Sequence, residues 1–111
     1  MSTPGTSCGG IFTVRIDAQR PNTASLVGEL DMVGVGLFLD TLAQIDGDVD
    51  VDCSELEFID AAGLRALLDA RNRCASRGAQ LVVVNPRPFL LRLLKIVELD
   101  TLLDIRNGAE L

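Results

Sequence analysis

The stretch FIDAAGLRALLDARNRC, residues 58–74, constrains the fold more than any other part of the chain. It begins as a short apolar run, reaches an acid at Asp60, and continues with apolar residues at helical spacing. This pattern predicts a passage from a strand into a helix, with Asp60 as the helix N-cap. The predicted buried stripe of this helix is Leu64, Leu67, Leu68, Cys74 and Ala75, and its predicted solvent face is Arg65, Asp69, Arg73 and Arg77.

The segments before this passage predict a hairpin followed by a helix and a strand. Residues 11–17 alternate apolar and polar side chains, residues 19–23 (QRPNT) carry turn residues, and residues 24–31 predict a second strand. Asp31 is predicted to cap a first helix, and residues 49–53 (VDVDC) alternate again as a third strand, followed by a connection. The predicted apolar stripe of the first helix is Val33, Leu37, Phe38, Leu42 and Ile45.

The segments after the passage complete an α/β pattern. Gly78 is predicted to end the second helix, and residues 79–85 (AQLVVVN) read as an interior strand. Residues 86–99 predict a third helix, and residues 100–111 a short turn with a closing strand. The predicted order is therefore β-β-α-β-α-β-α. Because Asp50 and Asp52 place polar groups on one face of the third strand, we expect helices mainly on the other face of a mixed four- to five-stranded sheet.

The length of 111 residues and the hydrophobic fraction of 48% predict one domain with an aliphatic core. Residues 1–10 are predicted to be a flexible tail, and residues 11–111 the domain. No apolar run approaches the roughly 20 residues that cross a bilayer, and the first residues lack the pattern of a signal peptide. We therefore expect a cytoplasmic protein without membrane insertion.

Acidic and basic residues are segregated along the chain. Residues 29–60 contain ten acids and no Lys or Arg, whereas residues 62–95 contain seven Lys or Arg and one acid, Asp69. The net charge of −6 argues against a nucleic-acid surface. The opposed runs fit two interpretations, steering of a charged protein partner and ordinary solvated faces.

The sequence offers little chemistry for catalysis. It has no His and no glycine-rich phosphate loop, and its three cysteines do not have metal-ligand spacing. We therefore predict no enzymatic activity, no metal and no cofactor. Oxidation is retained as a minor hypothesis for Cys8, Cys53 and Cys74.

Residues 52–64 (DCSELEFIDAAGL) carry a resemblance to a known family. They resemble the pattern D-L-S-G-h-x-h-h-D-S-S-G-L of STAS domains, most closely the bacterial anti-sigma factor antagonists, and the resemblance extends from Ile11 to about Ile105. It implies a STAS-like fold and a function: binding an anti-sigma factor, often a kinase, so that a sigma factor is freed. We also expect a monomer or weak dimer that binds no nucleic acid.

The resemblance also implies a binding site and a missing switch. In the family, a serine one or two residues before the glycine accepts a phosphate, and here both positions are alanine, Ala61 and Ala62. The serine switch is therefore predicted to be lost. The predicted partner-binding residues are Glu57, Phe58, Asp60, Ala61, Ala62, Gly63, Leu64, Arg65 and Asp69, with Arg73 on the same helix face.

Two other interpretations use the same sequence differently. A STAS accessory subunit of an ABC-type lipid or anion transport system has the same fold and remains open. A response-regulator receiver domain is rejected because the chain begins with a hairpin, lacks a paired acid beside Asp17 and has its only lysine, Lys95, within a helix.

Overall fold

The alternating segments of the sequence form a five-stranded sheet and three α-helices in the described part of the chain. The computed structural model describes residues 11–107, so the predicted tail and Cys8 lie outside the described residues. The predicted order is confirmed, with a short 3-10 turn and a closing strand at its end. The elements are β1 (Phe12–Asp17), β2 (Arg20–Leu30), α1 (Val35–Ala43), β3 (Val49–Ile59), α2 (Ala61–Ser76), β4 (Leu81–Val84), α3 (Pro88–Ile96), the 3-10 turn (Leu99–Thr101) and β5 (Asp104–Arg106).

The sheet is mixed and its strands follow chain order, β1-β2-β3-β4-β5. β1 and β2 form the predicted antiparallel hairpin, whereas β3, β4 and β5 each pair in parallel with the strand before. α1, α2 and α3 make the crossovers that parallel pairing requires. The carboxyl ends of β2 and β3 therefore meet at one edge, where α2 begins.

The core lies between the helices and one face of the sheet. Buried side chains of all three helices belong to one cluster with Val49, Val51 and Cys53. Asp50 and Asp52 are half-buried and lie outside that cluster, so the helices cover the opposite face, as predicted. No helix among residues 11–107 is long and apolar enough to span a bilayer.

Two predicted loops are strand. Residues 19–23 belong mostly to β2, which begins at Arg20, and the turn lies at residues 18–19. Pro21 is tolerated because the pairing of β2 with β3 starts at Thr23. Residues 54–59 continue β3, because two register shifts against β2 absorb the residues that break the alternation.

Both predicted helix stripes need correction. α1 starts at Val35 with Gly34 as its N-cap, so Asp31 caps the preceding turn instead. Val33 therefore precedes the helix and is exposed, as is Leu37, whereas Phe38, Leu42 and Ile45 are buried as predicted. In α2, Leu67 and Cys74 are buried as predicted, Leu64 and Leu68 are half-buried, and Ala75 is exposed. Apart from Leu67, the buried stripe runs through small residues that allow close packing. That stripe is Gly63, Ala66, Leu67, Ala70 and Cys74.

Candidate functional site

Asp60 fastens the start of α2 to the end of β2. Its Oδ1 accepts a hydrogen bond from the backbone N–H of Gly63 at 2.8 Å, which confirms the predicted N-cap. Its Oδ2 accepts one from the N–H of Met32 at 3.2 Å. The backbone N–H of Asp60 donates to the carbonyl of Leu30, also at 3.2 Å. One residue thus holds the helix start and the segment after β2 in a fixed relation.

Gly63 allows this close approach because it has no side chain. A Cβ added at Gly63 would lie 2.4 Å from the carbonyl oxygen of Leu30 and 2.6 Å from Cγ1 of Ile59. Both distances are far below van der Waals contact, and the nearer atom belongs to backbone. The glycine of the motif is therefore required by packing at the junction of β2, β3 and α2.

A shallow apolar groove runs beside the helix start. Its volume is about 410 Å³, and it lies between the segment that leads into α1 and the first two turns of α2. Five of its lining residues are apolar, and the other two carry opposite charges. The lining residues are Met32, Val35, Ala61, Ala62, Arg65, Ala66 and Asp69. None of them has a hydroxyl group.

The structure brings together only part of the predicted partner-binding set. Ala61, Ala62, Arg65 and Asp69 line the groove, whereas Asp60 and Gly63 do not line it and instead fix the start of α2. The remaining members lie elsewhere: Leu64 is half-buried against the core, whereas Glu57 and Phe58 are exposed near the end of β3 and do not line the groove.

Met32 and Val35 were missed by sequence reasoning. Asp31 is predicted to cap the first helix, and of the residues just after it only Val33 is predicted to belong to the buried stripe. Gly34 and Gly36 were the available signal, since two glycines disfavour the first turns of a helix. The helix starts late, and Met32 is left at the groove.

Opposite charges on the predicted solvent face of α2 form no ion pair in the described part of the chain. Arg65, Asp69 and Arg73 are exposed and spaced four residues apart. Among residues 11–107, however, the ion pair with a nitrogen–oxygen distance below 4.0 Å is the one between Arg15 on β1 and Glu55 on β3, at 2.6 Å. Arg65 and Asp69 therefore stand at the groove as separate charges.

The opposed charge runs are only partly separated in the fold, since Asp40 of the acidic run is exposed on α1. Arg65, Arg73 and Lys95 are exposed on α2 and α3. Asp50 and Asp52 lie on the sheet face that the helices leave uncovered. A partner that approaches α2 and α3 therefore meets a more basic surface than the net charge of −6 would suggest.

The two described cysteines are free and buried. Burial, with a smaller contribution from the charge of Asp52, raises the pKa of the Cys53 thiol to about 12. Since the thiolate is the reactive form, Cys53 is poorly suited to oxidation at neutral pH. The redox hypothesis for Cys8 stays a prediction. In the described part of the chain, no group of three or more His, Cys, Asp or Glu is placed to hold a metal.

Comparisons with known proteins agree with the fold described above. A family model described as "Mlab, STAS domain" matches residues 13–104. A search of curated proteins found no match.

Solved structures of low sequence identity share the fold. A protein of Thermotoga maritima, described as a candidate anti-sigma factor antagonist, is 20% identical, with 86% of this chain and 85% of that one covered and a TM-score of 0.68. An anti-sigma-factor antagonist (STAS) domain protein of Planctomyces limnophilus is 14% identical, with 87% and 90% covered and a TM-score of 0.66. The anti-sigma factor antagonist SpoIIAA in its unphosphorylated form is 15% identical, with 86% of each chain covered and a TM-score of 0.56. These likenesses confirm the predicted fold.

Proposed function

The chain belongs to the STAS-domain family, and from this premise we propose that it is an anti-sigma factor antagonist. It binds an anti-sigma factor of the kinase type and thereby frees a sigma factor. The observation that carries this proposal is the groove at the start of α2, which combines exposed apolar surface with two unpaired charges. Such a surface suits a protein partner better than a small polar substrate. The protein acts by binding, as a cytoplasmic monomer or weak dimer without a cofactor or nucleic acid.

We further propose that a kinase partner cannot switch this antagonist off at the usual loop. Ala61 and Ala62 occupy the two positions before Gly63, and an alanine side chain has no oxygen to phosphorylate. Ser76 is a poor substitute, since it lies 14 residues beyond Ala62, about 20 Å further along the helix. Its hydroxyl already donates to the carbonyl of Arg73 at 2.8 Å.

The physical consequence is that binding persists in the presence of ATP. A phosphate at this helix start would add about two negative charges in the middle of the contact surface. A partner that makes contact here would then suffer repulsion and desolvation. Without a hydroxyl at position 61 or 62 that change does not occur, and regulation comes from another source, such as abundance.

The test is co-elution with purified kinase-type anti-sigma factors of the same organism, with and without Mg-ATP, followed by intact-mass measurement. The proposal predicts a complex that survives ATP and a chain of unchanged mass. Ala61→Ser and Ala62→Ser each restore one candidate hydroxyl, and at least one is predicted to gain a phosphate and dissociate. Ala75→Ser is the matched control, because it adds a hydroxyl to an exposed alanine at the far end of the same helix.

The outcomes separate the parts of the proposal. A wild-type chain that gains a phosphate would contradict the loss of the switch, although the antagonist function would stand. A chain that binds none of the anti-sigma factors would contradict the function itself. That result would favour the accessory-subunit interpretation, which co-purification with an ABC-type ATPase would then test.

A further inference from the structure

The turn that follows β2, residues 31–34, holds two adjacent apolar side chains in solvent. Met32 is 74% exposed and Val33 is 76% exposed. Single exposed apolar residues are common on protein surfaces, but adjacent ones beside an apolar groove mark an interaction site more often. Met32 lines the groove at the start of α2, so the turn and the groove form one continuous surface.

The exposure of these side chains is built into the backbone of the 31–34 turn. The buried carboxylate of Asp31 accepts hydrogen bonds from the N–H groups of Val33 at 3.0 Å and Gly34 at 3.3 Å. Asp60 accepts the N–H of Met32 from the other side. These three bonds fix the direction in which the turn presents its side chains.

The underside of the turn is packed against β1. A Cβ added at Gly34 would lie 2.9 Å from Cδ2 of the Phe12 ring, so the turn is seated directly on that ring. Met32 and Val33 therefore have little room to fold back toward the core. A turn whose backbone is already fixed loses little backbone entropy when a partner binds, which favours affinity.

The charges at the groove add a direction to this surface. Arg65 and Asp69 line the groove one helical turn apart, and neither is ion-paired within the described residues 11–107. Because α2 runs away from Asp60, the cation lies nearer the helix start and the anion further along. A partner segment that complements this surface carries an acid opposite Arg65 and a base opposite Asp69, beside an apolar side chain.

We infer that the 31–34 turn and the Arg65/Asp69 pair together select the anti-sigma factor that this chain binds. The occupant is a segment of that factor which places a large apolar side chain between Met32 and Ala62, an acid against Arg65 and a base against Asp69. The inference rests on the proposed function and adds to it the chemistry of the partner. Ala61 and Ala62 contribute because their small side chains leave room in the groove for that apolar side chain.

The apolar part is tested by Met32→Glu, with Ile96→Glu as its matched control. Ile96 is 75% exposed, nearly the same as Met32, but it lies on α3 and does not line the groove. Binding to the purified kinase-type anti-sigma factors is measured by titration, and far-UV circular dichroism checks the fold. Met32→Glu is expected to weaken binding at least about tenfold, as for a central apolar anchor. Ile96→Glu is expected to change binding less than about twofold, as outside a contact surface.

The charge order is tested by the double exchange Arg65→Asp with Asp69→Arg. This variant keeps the net charge of −6, so a loss of affinity cannot come from general electrostatic steering. The inference predicts a loss of at least about tenfold, as like charges are brought together across the interface. Equal binding by the exchange variant would overturn the charge order, and equal losses for Met32→Glu and Ile96→Glu would overturn the role of the turn.

These results are distinguishable from a failure of the proposed function. If the unmodified chain binds none of the anti-sigma factors, the function fails and the inference fails with it. If the unmodified chain binds and both groove variants bind equally well, the inference alone fails.

Discussion

Gly63→Ala is the smallest change that tests the junction on which the site is built. The added methyl group would lie 2.4 Å from the carbonyl oxygen of Leu30 and 2.6 Å from Cγ1 of Ile59. Because the nearer atom is backbone, no side-chain rotation relieves the contact. We expect the first turn of α2 to move away from the end of β2.

The size of the effect follows from three contributions. Overpacking a filled site typically costs about 1–3 kcal/mol. The backbone hydrogen bond from Asp60 to Leu30 lies at this junction, and its loss costs about 1 kcal/mol. The higher helix propensity of alanine offsets up to about 1 kcal/mol of this destabilisation. The net expectation is a loss of about 2 kcal/mol in the free energy of unfolding, which for a chain of 111 residues lowers the Tm by about 9 °C.

Urea unfolding followed by far-UV circular dichroism measures this change, since the chain contains no Trp or Tyr for fluorescence. Gly36→Ala is the matched control, because it also lies in the first turn of a helix and its added Cβ would meet nothing within 4 Å. That variant is expected to gain up to about 1 kcal/mol. A Gly63→Ala protein as stable as the unmodified chain would refute the close packing of α2 against Leu30.

Two further predictions concern Asp60 and Cys53. Asp60→Ala removes the acceptor for the N–H groups of Gly63 and Met32, and it is expected to lower the free energy of unfolding by about 1–2 kcal/mol in the same urea assay. Asp60→Asn, which also caps helices well, is expected to retain most of the stability, and equal losses in both would contradict the capping role. The pKa of Cys53 is raised from 9.0 to about 12, so its contribution to stability is complete below pH 9 and is lost as the pH rises toward 12. Urea midpoints across this range, compared with those of Cys53→Ala, measure that loss, and native Cys53 that reacts readily with a thiol reagent at neutral pH would contradict its burial.

The order of elements was predictable because its signals are local. Alternation in residues 11–17, the apolar run of β4 and the capping acid at Asp60 each depend on a few neighbouring residues. Gly78 likewise ends α2 with a positive φ of 78°, as its position in the sequence predicts. Local patterns in the amino-acid sequence are therefore enough to predict the type and order of the strands and helices.

The features that sequence reasoning missed depend on tertiary structure. β3 extends to Ile59 only because register shifts against β2 accommodate residues that break the alternation. Val33 fits a helical stripe by spacing, yet hydrogen bonds to Asp31 form a separate turn and leave it exposed. The groove follows from that turn, since Met32 and Ala62 line it together although they lie in segments that are distant in the chain. Spacing within one segment carries no information about such contacts.

The most direct test of the central claim is the intact mass of the chain after incubation with a bound kinase-type anti-sigma factor and Mg-ATP. We predict that the complex persists and that the mass of the chain is unchanged. An increase by one phosphoryl group, accompanied by dissociation, would contradict an antagonist that phosphorylation cannot switch off.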